Sequence, residues 1–268
     1  MILGLIDSNG NLVPKEQVLY IAGKDGHYEG YPLLVLSGVF NDTHPRGPTA
    51  SQLASRSLRQ TILEGILDYY VILDNRMPLI RGSIFHAGLE TLKAVGVETM
   101  IEKRLSAEFR NRPVSGQIDL YFPEANRLED WKTARSIPAL VSSSHILQLA
   151  VYAWLLRYNA YKVDEAAINY CSWYSFNTRS EAKMPNGEIG KVIEHPYLAC
   201  EQTFEEVIEE PWDILSDGFQ NNYVPSTSYC FLQYCSRCPV KWACDVIDVQ
   251  GQQIDPAHYT QKEFILEF

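Results

Sequence analysis

Residues 116–152 read GQIDLYFPEANRLEDWKTARSIPALVSSSHILQLAVY, and this stretch decides the fold. Gln117–Phe122 and Arg127–Thr133 are strand-prone runs, and Pro123-Glu124-Ala125-Asn126 between them suits a hairpin turn. Asp119 and Asp130 then lie on adjacent strands, where their carboxylates can converge. Successive side chains of a strand point to opposite faces, so Asp130 and Lys132 project to the same side, roughly 7 Å apart along the strand. The same alternation sends Glu129 the other way. Ser142, Ser143 or Ser144 can cap a following helix from about His145 to Tyr158. On it Gln148 and Tyr152 are four apart and share a face. Hydrolysis of a phosphodiester needs negative charge offset, a water made nucleophilic and a leaving oxygen stabilised. Paired acids that can hold a hard cation, with an ammonium beside them, are residue types for that work.

The reading extends outward in both directions. Thr49 or Ser51 can cap a helix running to about Tyr70. A second helix follows Gly82, with Phe85, Leu89, Leu92 and Val95 at spacings of three and four. His86 lies on it, and Glu90, one turn on, is a minor candidate ligand. Met100–Phe109 reads as a strand. Ala166–Phe176 and Gly190–His195 bracket Asn186-Gly187, a second hairpin signal. A helix is expected around Thr203–Phe219. Near the start, Ile2–Ile6, Val18–Ala22 and Leu33–Phe40 read as short strands. The economical division is a strand-rich extension at 1–45, a core at 46–222 and a cysteine module with the tail at 223–268.

Composition bounds the function. Of 268 residues, 46% are hydrophobic and 21% charged, enough for a packed core and too apolar for disorder. No run of 18 apolar residues is present, so no membrane span is expected. The first residues lack the basic start and long apolar stretch of a secretory signal, and a cytoplasmic location is expected. A net charge of −10 argues against nucleic-acid binding by the whole surface. It leaves room for a local basic channel. Arg56, Arg59, Arg76, Arg81, Lys93, Lys103, Arg104, Arg110, Arg112, Arg127, Lys132 and Arg135 all fall between 56 and 135. Glu201, Glu205, Glu206, Glu209, Glu210, Asp213 and Asp217 read as a solvated helix face.

Cys230, Cys235, Cys238 and Cys244 fall within fifteen residues. Such spacing in a chain without a secretory signal favours metal over disulfides. Zinc and an iron–sulfur cluster both accept four thiolates. Cys171 and Cys200 read as buried structural thiols. Trp154, Trp173, Trp212 and Trp242 could stack on bases, although most are expected in the core.

Taken in order, these pieces resemble the PD-(D/E)XK nuclease superfamily, most closely its RecB-like exonuclease branch. That branch includes the nuclease domains of RecB and AddB and the CRISPR-associated RecB-like exonucleases. Gly82-x-x-x-His86 matches the upstream histidine motif, Gly116-Gln117-Ile118-Asp119 the G-x-x-D strand and Asp130-Trp131-Lys132 the (D/E)-x-K strand. Gln148-Leu149-Ala150-Val151-Tyr152 matches the Q-x-x-x-Y helix. The resemblance implies an α/β fold: a restriction-endonuclease-like core, a mixed central sheet flanked by helices, and a C-terminal cysteine-bound cluster. It implies His86, Asp119, Asp130 and the Trp131 carbonyl as ligands of Mg²⁺ or Mn²⁺. Lys132 would serve the attacking water, with Gln148 and Tyr152 positioning it, the metal shell or the DNA backbone.

Many RecB-like nucleases also carry a 4Fe-4S cluster held by one upstream cysteine and a downstream C-x2-C-x5-C trio. Cys235, Cys238 and Cys244 match the trio. The region of the upstream member reads Ser51-Gln52-Leu53-Ala54-Ser55-Arg56-Ser57-Leu58-Arg59, without cysteine, so Cys230 is the expected fourth ligand, with zinc the alternative metal. The implied activity is exonucleolytic hydrolysis of single-stranded DNA or DNA ends along a basic groove. A structure-selective endonuclease, a non-catalytic DNA-binding or assembly subunit, and a zinc-binding interaction protein are the alternatives. Protein partners are not legible.

Overall fold

The computed structural model describes residues 1–40, 48–55, 57–90, 99–172, 208–230 and 232–261. The expected strand at 190–195, the turn at 186–187, Cys200, Trp173, Arg56, Lys93, Glu201, Glu205, Glu206 and the Glu90 side chain lie outside the described residues. The chain forms two compact units, one of Met1–Gly47, Arg56–Ile80 and Asp213–Phe268, the other of Pro48–Ser55 and Arg81–Trp212. It enters each unit more than once, so contacts cut across the linear division 1–45, 46–222 and 223–268.

In the first unit, β1 (Ile2–Ile6) pairs antiparallel with β2 (Leu12–Pro14) and parallel with β5 (Tyr69–Val71). Between β2 and β5 the sequence reading needs correction. Residues 18–22 belong to helix α1 (Lys15–Asp25), and 33–40 form helix α2 (Leu33–Phe40), neither of them a strand. Short apolar runs do not separate helix from strand by periodicity alone. The signals that mattered lay at the ends of α1: Glu16 in its first turn, Lys24 in its last, and Gly26 at φ 82° as C-cap. Small hairpin strands β3 (His27–Tyr28) and β4 (Tyr31–Pro32) connect the two helices.

Thr49, with Gln52, forms a capping box on the short helix α3 (Ala50–Leu53). The expected single helix to Tyr70 is instead α3, then α4 (Leu58–Ile66), then strand β5. The helix carrying His86 begins earlier than Gly82 and spans Leu73–Glu90 (α5), with Pro78 inside it. In the first unit α4 also packs on α7 (Glu209–Asn221). A Cβ at Gly218 would stand 2.5 Å from Ile62 Cδ1, so only glycine lets the helices approach this closely. Strands β10 (Tyr223–Pro225) and β11 (Gly251–Gln253) form a ribbon around the cysteine segment, which includes the short helix α8 (Lys241–Cys244).

The second unit holds a four-stranded sheet in the order β6-β7-β8-β9: β6 (Met100–Phe109), β7 (Arg112–Phe122), β8 (Arg127–Ala134) and β9 (Glu165–Ser172). The first two pairings are antiparallel and the last is parallel. Helix α6 (Ser143–Tyr158) makes the crossover that a parallel pair requires, and it packs on β7 and β9. Residues 149–156 of α6 are all buried, so this helix is apolar on every side and lacks a single stripe. This is the mixed α/β core expected from the motifs.

Candidate active site

Rungs between β7 and β8 pair Leu120 with Glu129, Tyr121 with Leu128 and Phe122 with Arg127, and the ladder stops there. Asp119 and Asp130 occupy the next position, where the strands part. The Asp119 side chain fills the gap: its Oδ2 accepts the Trp131 backbone N–H at 2.6 Å. Asp130 is wholly buried, and Lys132 Nζ donates to its Oδ1 at 2.9 Å. As alternation requires, Glu129 faces elsewhere, bonding Arg127 and the Trp131 indole.

Lys132 Nζ also donates to Gln148 Oε1 at 3.0 Å, and Gln148 Nε2 donates to the Tyr152 hydroxyl at 2.7 Å. The amide is thereby oriented, since its oxygen must face the ammonium. Two of the three Lys132 N–H groups are used, which leaves one for a water or phosphate oxygen. Burial raises the Tyr152 hydroxyl above its usual range, so it stays protonated. His145 Nδ1 lies 2.7 Å from the Tyr170 hydroxyl, at the start of the same helix.

On the other side of Asp119 sits a residue that motif reading missed. His86 Nδ1 is 2.7 Å from Glu102 Oε1 and 3.7 Å from Asp119 Oδ1. Gln117 Nε2 donates to Glu102 Oε2 at 2.6 Å. The flanking rungs, Ile101 with Leu120 and Lys103 with Ile118, put Glu102 across from Asp119. The left-handed residues Arg110 and Asn111 set that register, and a hairpin reading of 100–122 would have exposed it. Glu102 itself has φ 51°, a conformation costly for a side-chain-bearing residue.

His86, Glu102 and Asp119 form the group of potential ligands, among the described residues, whose donor atoms all lie within 4.8 Å of one another. Two observations fit a cation here. Asp130 Oδ2 is buried with no hydrogen-bond partner among the described residues. Burial, then repulsion from Asp130, pushes the Asp119 carboxyl up to about 7. Two buried carboxylates this close call for positive charge beyond that of Lys132. The hydrogen bond to Glu102 raises the His86 imidazole above its ordinary range.

A model of the PD-(D/E)XK nuclease superfamily matches residues 85–245. The chain belongs to that superfamily. This PD-(D/E)XK nuclease shares its fold with the protein SSO0001: TM-score 0.51 at 17% identity over 80% of this chain and 92% of that one. A phage-related exonuclease from Haemophilus somnus 129PT aligns at 15% identity and TM-score 0.30, over 53% of this chain and 70% of that one. No curated protein sequence matches this nuclease significantly. The matched span includes all six motif residues: His86, Asp119, Asp130, Lys132, Gln148 and Tyr152.

The basic stretch of this PD-(D/E)XK protein does not act as one surface. Arg59 and Arg76 are buried, Arg76 within 3.7 Å of Glu64. Arg110 and Arg112 pair with Glu209, which is therefore not merely solvated. Arg127 pairs with Glu129 and Glu165. Lys103 and Arg104 remain exposed on β6, and Arg81 and Arg135 are also exposed. Trp154 and Cys171 are buried. The Trp212 indole donates to the Pro113 carbonyl at 2.9 Å.

Cys230, Cys235, Cys238 and Cys244 are all free thiols of the first unit; Cys230 lies within electrostatic reach of the other three, and Cys238 of Cys244. Three of the four sulfurs receive a hydrogen bond: Cys230 from the Ser57 hydroxyl, Cys238 from the Val240 N–H and Cys244 from Arg59 Nε. Burial pushes the Cys238 thiol up to about 12 and raises Cys230. Among the described residues, no three of these sulfurs come within 4.8 Å of one another.

Proposed function

We propose that this metal-dependent nuclease is a DNA exonuclease of the RecB-like type, acting on single-stranded DNA or DNA ends. One observation carries the reading: a buried Asp130 oxygen without a hydrogen-bond partner among the described residues, at a strand fork beside Asp119, with Lys132 held at its edge. His86, Asp119, Asp130 and the Trp131 carbonyl would hold Mg²⁺ or Mn²⁺, and Glu102 stands close enough to join or orient them. When bound, the cation offsets phosphate charge and acidifies a water. Lys132 directs its remaining N–H to that water or to the scissile phosphate. Gln148 and Tyr152 fix the ammonium in place through a continuous hydrogen-bonded chain. Exposed Arg104, two residues from Glu102 on β6, would follow the DNA backbone.

The four cysteines would hold a 4Fe-4S cluster. The C-x2-C-x5-C spacing of Cys235, Cys238 and Cys244 is what favours the cluster over zinc. Hydrogen bonds onto three of them suit anionic ligands better than neutral thiols.

The test is a Mn²⁺-dependent assay on end-labelled linear and circular single-stranded DNA, with Lys132→Ala alongside. The expected result is trimming of linear DNA, sparing of circles, and a folded but inactive variant. Cutting of circles would favour a structure-selective endonuclease. Undiminished cutting by Lys132→Ala would defeat the site assignment.

A further inference from the structure

Arg59 is wholly buried, and its five N–H groups are all used. Nε donates to Cys244 Sγ at 3.1 Å. One terminal nitrogen donates to the Pro225 carbonyl and to the Asp248 carbonyl at 3.2 Å. The other donates to the carbonyls of Cys244 at 3.5 Å and Ile247 at 3.2 Å. Hydrogen bonding is therefore complete, but charge is not: none of these partners is a carboxylate, and no ion pair to Arg59 occurs among the described residues. A buried guanidinium without a counter-charge is strongly unfavourable. Neutral thiol sulfur is only a weak acceptor. Its Nε points at a sulfur all the same.

The contrast with Arg76, the other buried arginine of the same unit, is direct. Arg76 has the Glu64 carboxylate at 3.7 Å. Arg59 has a cysteine where Arg76 has an acid. The missing negative charge is supplied if Cys244 is an anionic ligand of a metal centre. Four thiolates on Zn²⁺, or on a cluster core of charge +2, leave a net charge of −2, which a single guanidinium partly offsets.

We propose that Arg59 is the charge-compensating and positioning residue of the cysteine centre. It holds Cys244 through the sulfur and pins the backbone on both sides of the cysteine segment, at Pro225 and at 244–248. Ser57, two residues earlier, bonds the Cys230 sulfur, so the start of α4 secures two of the four ligands. This role rests on the proposal that the cysteines bind metal. It also removes Arg59 from the set of DNA-binding cations.

The experiment uses the full chain purified anaerobically, with Arg59→Gln and Arg59→Lys. Iron and zinc content are measured first, then the rate of metal loss to a chelator. For iron-loaded protein the reduction potential is also measured. Arg59→Gln should lose metal about ten-fold faster or more, the scale for groups that support metal ligands. Its cluster potential should fall, because a reduced cluster gains a charge that Arg59 no longer offsets. Arg59→Lys, which keeps the charge but loses the fork, should lie between. Parental release rate and potential in Arg59→Gln, with metal present, would overturn the proposal. Insolubility of both variants would also overturn it, by making Arg59 a packing residue. Parent protein without iron or zinc would instead sink the underlying reading of the cysteines.

Discussion

The Tyr152 ring lies against the backbone of Gly116: a Cβ at that glycine would stand 2.7 Å from Tyr152 Cε1 and 2.9 Å from Leu155 Cδ1. The first residue of one motif is thus the seat for the last residue of another. Gly116→Ala must push α6 off the sheet or turn Tyr152 out of its rotamer. Overpacking of this kind costs about 1–3 kcal/mol. It also breaks the chain from Tyr152 through Gln148 to Lys132. Cleavage should fall about a hundred-fold, the scale for a misplaced catalytic group. Tyr152→Phe keeps the ring and loses the hydroxyl, so its melting temperature should stay nearer the parent. Thermal melts with rate measurements separate the two effects. Equal melting of Gly116→Ala and the parent would refute the packing argument.

The Asp130 carboxylate is a burden on the metal-free fold. It is wholly buried, one oxygen lacks a hydrogen-bond partner among the described residues, and Asp119 repels it. Asp130→Asn removes the charge and keeps an oxygen for Lys132. The metal-free variant should therefore melt higher than the parent, because the repulsion between the two carboxylates is removed. Cleavage should vanish, and so should the stabilisation that Mn²⁺ gives the parent. A metal-free variant less stable than the parent would show that the carboxylate is adequately compensated without a cation.

The sequence made the strand pair of the candidate site legible because D-x-K alternation and the hairpin turn are local signals. Asp119, Asp130, Lys132, Gln148 and Tyr152 come together where the spacing put them. Glu102 belongs to none of the motifs; only pairing β6 with β7 through the turn at Arg110-Asn111 places it across from Asp119. Arg59 misled as a surface cation, because its partners Pro225, Cys244, Ile247 and Asp248 lie far away in sequence. Helices α1 and α2 misled because their apolar runs are short. Only Leu36 and Val39, three apart, are buried in α2, a pattern that contiguous apolar residues conceal.

Metal binding should depend on pH near neutrality. In the metal-free fold Asp119 keeps its proton up to about 7, against an ordinary value of 3.8. A raised folded-state value means that the native state binds the proton more tightly. This contribution to stability is full below about pH 4 and is lost as pH rises through about 7. His86 is also raised, so its share is likewise lost as pH rises. The metal-free protein should thus weaken through neutrality, whereas a cation requires an ionised Asp119 and a neutral His86. The rise in melting temperature on adding Mn²⁺ should be larger at about pH 8 than at about pH 6. Asp119→Asn should flatten that difference. A metal-induced shift independent of pH would count against Asp119 as a ligand.

The proposed fourth ligand, Cys230, should be replaceable from a neighbouring position. Ser57 sits within hydrogen-bonding distance of the Cys230 sulfur, so the two side chains look onto one space. Cys230→Ser should lose most of its bound metal, because a hydroxyl is a poor replacement for thiolate on iron or zinc. Adding Ser57→Cys to that variant returns a sulfur from the opposite side of the same contact. Metal content in the double variant should recover to most of the parental value. A thiol at 57 would also tie α4 to the cysteine segment, so the melting point should recover with it. Parental metal content in Cys230→Ser alone would remove Cys230 from the ligand set. A double variant as empty as the single one would mean that Ser57 and Cys230 face the centre from different directions.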